Sequence, residues 1–139
     1  MKLKAIICGG KDDFGIFIKH PEIIEGFTGA NGAGDTVEEA KKNLFECIDI
    51  LIEENTISKD FLKENEIEFV FDISGFLKYY SNFISFAGMK AITGINQKQL
   101  WNYANGYRNP SKATSDKILK SVHSFGENLC KTHFIDLNL

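Results

Sequence analysis

The chain is short of most residues that announce a chemistry. Its three cysteines, Cys8, Cys47 and Cys130, are odd in number, far apart and without CxxC spacing. That pattern excludes a disulfide framework and a cysteine-based metal site, and it fits buried free thiols in a reducing cytoplasm. No apolar run approaches the roughly 18–20 residues that span a bilayer. The start, MKLKAIICGGKDDFG, has too short an apolar run for a signal peptide and meets charge at once, so a cytoplasmic protein is expected. The three histidines, His20, His123 and His133, are isolated, with no Cys or Ser partner at an informative spacing. A glycine-rich stretch, GANGAGDT, precedes a helical pattern, but it lacks the Gly-Lys-Ser/Thr of a P-loop and the GxGxxG spacing after a strand. It reads as a flexible loop with weak anion-binding potential. Neither cofactor nor metal is expected.

What is present is a lopsided distribution of charge. Residues 1–73 hold eight lysines against sixteen acidic residues, a balance of −8. Residues 74–139 hold seven lysines and one arginine against three acidic residues, a balance of +5. An acidic half followed by a basic half suggests two modules with different partners, the second able to face a polyanion.

The pattern of apolar residues changes at the same place. KLKAIICG (2–9) and FGIFIKH (14–20) read as strands joined by a turn at 9–13, with Pro21 closing the second. GFTGANG (26–32) gives one short strand before the glycine-rich loop, and an antiparallel sheet follows from the hairpin. Thr36 and Glu39 have capping-box spacing, and Ala40, Leu44, Cys47, Ile48 and Leu51 form one apolar helical stripe. EENTISKDFLKENE holds a short helical turn, and IEFVFDI (67–73) alternates with the period of a strand. From Ser74 onward the pattern is helical: Phe76, Tyr80, Phe83 and Ile84 share a face, SFAGMKAITG ends on Gly94, and the final helix buries Ala113, Ile118, Val122, Phe125 and Leu129. The expected class is α+β: a small antiparallel-rich β-β-β-α-β sheet module over 1–73, then an all-α helix-turn-helix module over 74–139.

Between the last two helices lies GINQKQLWNYANG, residues 94–106. Its apolar residues do not alternate, so it is no strand. Asn96 is a good N-cap, Gln97 to Leu100 are good helix formers, and Gly106 suits the left-handed position past a helix end. Leu100, Tyr103 and Ala104 fall on one face; Lys98, Trp101, Asn102 and Asn105 fall on another. The preceding helix, the turn at Gly94 and this helix have helix-turn-helix spacing, with Met89, Gly94, Ile95, Leu100 and Tyr103 at its structural positions. A face of Gln97, Lys98, Gln99, Trp101, Asn102 and Asn105 suits a DNA major groove, where amides read adenine and lysine reads guanine. Tyr107, Arg108 and Lys112 suit flanking phosphates.

Two resemblances follow from these motifs. TGINQKQLWNYANGYRNPSKATSDKI, within residues 81–128, resembles the phage-repressor type of helix-turn-helix. One departure is Lys90, at a position four before the turn glycine where the family carries a small residue. FGIFIKHPEIIEGFTGANGAGDTVEEAKKNLFECIDILIEE is similar to the HicB-type antitoxin domain, matching it at Gly34, Asp35, Thr36, Glu39, Ala40 and Asn43, with TGANGAG longer than the usual loop. Together these imply a partial RNase H-like fold in the first module and a small HicA-type RNase toxin as partner. They also imply homodimers or higher oligomers, and repression of the chain's own operon through operator DNA. Phe14, Phe17 and the glycine-rich loop at 29–34 are the expected toxin-facing elements. RNase H chemistry needs several carboxylates around two metal ions. Asp12 and Asp13 sit in a turn, and Asp35 and Glu39 have the spacing of caps, so no enzyme is expected. Three other readings stay open at this point: a stand-alone transcriptional regulator, a protein-docking or dimerisation bundle anchored on Trp101 and Tyr107, and a degenerate nuclease that divalent-metal-dependent RNA cleavage would reveal.

Overall fold

A computed structural model describes residues 1–18 and 24–136. Within them the fold mixes a four-stranded sheet with six helices. The strands are β1 (Lys2–Gly9), β2 (Phe14–Ile18), β3 (Ala30–Gly34) and β4 (Glu66–Phe71), in the sheet order β3-β2-β1-β4. β1 pairs antiparallel with β2, and β2 with β3, while β4 lies parallel to β1. His20 and Pro21, read as the close of the second strand, lie outside the described residues.

Register explains the core. Ala5 pairs with Ile18, Ile7 with Ile16, Ile16 with Gly32, and Phe69 with Ala5, so all of these point to one face. That face is covered by α1 (Val37–Glu53), whose Val37, Ala40, Leu44 and Ile48 are buried. The opposite face carries Ile6, Cys8, Phe17 and Val70, all half-buried, beside exposed Lys4 and Asn31.

The glycine-rich segment is not a loop. It is β3 itself, and the reason is the close approach of α1. A Cβ on Gly32 would overlap the backbone of Ala40 and Leu44, so the absence of a side chain lets the helix lie directly on the strand. Thr36 caps α1 by accepting a hydrogen bond from the Glu39 N–H at 3.1 Å. The Glu39 carboxylate returns to the Asp35 N–H at 3.0 Å, one residue earlier than in a standard capping box. Below the helix, α2 (Phe61–Glu64) inserts Phe61, stacked on Phe27 with centroids 5.0 Å apart.

The expected strand over 67–73 is shorter. β4 stops at Phe71, because Asp72 becomes the N-cap of α3 (Ile73–Tyr80). Its Oδ1 accepts from the Gly75 N–H at 2.8 Å and the Ser74 hydroxyl at 2.7 Å, while its own N–H still donates to the Ile7 carbonyl at 3.1 Å. Ser74 Oγ in turn accepts from the Gly9 N–H at 2.8 Å. Lys78 Nζ closes the junction by donating to the carbonyls of Gly10, at 2.5 Å, and Asp13, at 2.9 Å. The acidic and basic halves thus meet through a hydrogen-bonded seam with no linker.

The second half has its own apolar cluster, Leu77, Met89, Leu100, Tyr103, Ala104 and Ile118. It is assembled from α3, α4 (Phe86–Thr93), α5 (Gln97–Ala104) and α6 (Lys112–Lys131). The buried line expected along the last helix holds only in its middle, at Ile118 and Val122. Ile118 is buried and Val122 partly so, but Ala113, Phe125 and Leu129 are exposed. α6 has 20 residues against 8 in each of α3, α4 and α5, so its far end extends past the helices that could cover it. Cys8 and Cys47 are half-buried, but Cys130, on that overhang, is exposed rather than buried.

Candidate nucleic-acid interface

The candidate interface is built from α4, a three-residue turn and α5. Ser85 caps α4 through the Gly88 N–H at 3.0 Å. At its other end the buried Thr93 hydroxyl donates to the Met89 carbonyl at 2.8 Å and accepts from the Ile95 N–H at 3.2 Å, so this polar side chain stitches helix to turn. Gly94 follows at φ 75°, and its N–H donates to the Lys90 carbonyl at 2.7 Å. Only glycine takes that left-handed conformation at little cost, and it reverses the chain within one residue. Asn96 then caps α5 by accepting from the Lys98 N–H at 2.8 Å.

Leu100, Tyr103 and Ala104 are the buried residues of α5. Burying a side chain the size of Leu100 contributes about 1.5–3 kcal/mol, which fixes the rotation of the helix about its axis. That rotation decides what faces outward. Gln97, Lys98 and Trp101 are exposed; Gln99, Asn102 and Asn105 are half-buried. Tyr107, Arg108 and Lys112 are exposed on the segment that follows and at the start of α6.

The structure separates these residues by what their polar atoms already do. Gln99 Nε2 donates to the Tyr103 hydroxyl at 2.9 Å, which binds the amide to the helix's own anchor. Asn105 Nδ2 donates to the Trp101 carbonyl at 2.9 Å and closes the helix end. Lys112 pairs with Asp116 at 3.4 Å, an exposed i,i+4 contact of small worth. Gln97, Lys98, Asn102 and Arg108 have no side-chain hydrogen bond or ion pair among the described residues. Lys90, the departure from the small residue at that position, is exposed on α4.

One arrangement had no counterpart in the sequence reading. After Gly106, at φ 76°, the chain brings Tyr107 back over Trp101, with ring centroids 5.5 Å apart and planes 18° from parallel. The separation of six residues across a glycine is the only sequence signal for it. The end of α5 also abuts the sheet: Gly9 lacks a Cβ where the Ala104 carbonyl lies.

The two residues expected to face a toxin behave differently. Phe14 is 4% exposed, inside the sheet core with Lys78 Nζ 5.3 Å from its ring centroid, so it offers no surface to a partner. Strand alternation puts it on the covered face; Phe17, three residues on, lies half-buried on the open one. Of the glycine-rich segment 29–34, also expected to meet the toxin, Ala30–Gly34 is the β3 edge strand. Cys8, on that open face, has its thiol pushed up to about 12 by burial and by the Asp72 carboxylate, so it stays protonated at neutral pH. No group of three or more His, Cys, Asp or Glu side chains among the described residues is placed to hold a metal ion. None of the described helices is long and apolar enough to cross a membrane. Comparison of the chain with protein-family models, curated proteins and solved structures finds no match.

Proposed function

We propose that the chain is a HicB-type antitoxin that represses its own operon, with the helix-turn-helix of its basic half binding operator DNA. The observation that carries the DNA reading is the division of α5. Leu100, Tyr103 and Ala104 hold it from behind, while Gln97, Lys98, Trp101 and Asn102 stand on its outer side with Arg108 beyond. Gln97 and Asn102 have amides free for base edges, and Lys98 and Arg108 have charge free for phosphate or guanine.

An eight-residue helix is about 12 Å long and spans about three to four base-pair steps. That is too little for operator specificity, so two copies bind two half-sites. The second half, at +5 over its residues, suits a polyanion such as DNA, and the first half, at −8, suits a basic partner. Phe17, Ile6 and Val70 on the open sheet face are the apolar surface that such a toxin would cover.

The test is a mobility shift of the full chain on the DNA upstream of its own gene, paired with co-purification of the neighbouring gene's product. The proposal expects a shifted complex and a small basic protein that cleaves RNA alone but not when bound. Absence of any upstream shift removes the repressor role. A neighbour that neither binds nor cleaves RNA removes the antitoxin role and leaves a stand-alone regulator.

A further inference from the structure

Trp101 is at odds with its neighbours. It is 45% exposed on the side of α5 that carries Lys98, one turn earlier, and Asn102 and Asn105. A solvated polar face has no use for an indole, whose apolar surface is worth burying. The ring is also held in place: Tyr107, 51% exposed itself, stacks on one side of it, and the turn at Gly106 sets that stack. Meanwhile the indole Nε1–H makes no hydrogen bond to any described residue. The result is a positioned plate with an apolar edge and one free donor, on the outer side of the helix proposed to enter the groove.

We infer that Trp101 reads a thymine. The inference rests on the DNA-binding reading above and adds the base. In the major groove guanine presents two acceptors, adenine an acceptor and a donor, and cytosine a donor. Thymine alone presents an acceptor, O4, beside an apolar methyl group on C5. An indole matches that edge with its N–H to O4 and its ring against the methyl. Lys98 and Asn102 flank it with the polar groups that suit guanine and adenine, so Trp101 supplies the base preference that the rest of the helix lacks. Tyr107 is its positioning residue, since it limits where the ring can turn.

The experiment selects duplexes from a random library with the full chain at one fixed salt concentration, then replaces each thymine of the selected half-site by deoxyuridine in turn. At one position the loss of the methyl should weaken wild-type binding about fourfold, the worth of one buried methyl group. Trp101→Phe, which keeps a ring but loses the donor, should retain that methyl effect while binding more weakly to the thymine duplex. Trp101→Ala should bind thymine and deoxyuridine duplexes alike and select no fixed base there, while the preferences at neighbouring positions persist. If every deoxyuridine replacement affects wild type and Trp101→Ala equally, or if the methyl effect is absent from Trp101→Phe, the inference is overturned while the DNA reading stands. If no duplex is selected at all, both fall together.

Discussion

Salt dependence gives the most quantitative consequence of the proposed interface. Each phosphate neutralised by a cation releases condensed counterion, and log K falls with log salt by about 0.9 per contact on duplex DNA. Three cations stand at the interface, Lys98, Arg108 and Lys112. Lys98 and Arg108 make no ion pair among the described residues, and the Lys112–Asp116 pair at 3.4 Å is exposed enough to yield to a phosphate. One protomer should therefore show a slope of about −2.7, a loss of roughly 40-fold between about 50 and 200 mM salt. Two protomers on two half-sites should show about −5.4, a loss of roughly 2,000-fold over the same range. The assay is fluorescence anisotropy of a labelled duplex titrated with the full chain at several salt concentrations. Replacing Lys98 and Arg108 together by Ala should reduce the slope to about a third. A slope close to zero, or one that the double variant leaves unchanged, would refute the reasoning and favour a docking surface built on Trp101 and Tyr107.

Other consequences concern the scaffold. Gly32→Ala places a Cβ into the backbone of Ala40 and Leu44, and overpacking of that kind costs about 1–3 kcal/mol in a urea melt. Gly15→Ala meets nothing within 4 Å and should leave stability unchanged or slightly higher. At Gly94 the nearest atom to an added Cβ is the flexible end of Lys117, 3.9 Å away, so Gly94→Ala suffers only the left-handed φ of 75°, about 1–2 kcal/mol, seen as a lower melting temperature. In thiol labelling at mildly alkaline pH, exposed Cys130 should react first and Cys8 last, because burial and Asp72 hold the Cys8 proton up to about pH 12. The unfolded chain loses that proton near 9.0 while the folded chain keeps it, so stability should fall as pH rises from 9.0 towards 12. A Cys8→Ala chain should lose part of that fall, as urea midpoints across the range would record.

Much of the fold was legible because its elements carry local signals. Thr36 with Glu39 and Asn96, read as caps from the sequence, do cap α1 and α5. Gly94 ends α4 in the left-handed conformation that the spacing demanded. The errors share a cause: they depend on what lies across space, which periodicity does not carry. The glycine-rich composition of residues 29–34 looks like a loop until α1 is laid on it, when the missing side chains at Gly32 and Gly34 become the condition for helix and strand to touch. Asp72 and Ile73 continue the alternation of β4, but Asp72 is drawn off by the free N–H of Gly75. Phe125 and Leu129 hold the right period for a buried stripe, yet the helices beside α6 are too short to reach them. At the interface the identity of the face was readable from Leu100 and Tyr103, whereas the ties of Gln99 and Asn105 back to the helix were not. Those two ties leave Gln97, Lys98, Trp101 and Asn102 as the residues of α5 that the proposed interface would use, with Tyr107, Arg108 and Lys112 beyond it.

Chemical-shift mapping tests that account most directly. The isotope-labelled full chain is titrated with a duplex it selects, and backbone amide shifts are followed residue by residue. The account predicts that the largest changes fall on Gln97 to Asn102, on Tyr107 and Arg108 and at the start of α6, with β1 and β2 little affected. Changes confined to the sheet, or spread along the apolar overhang of α6 with α5 unmoved, would contradict it.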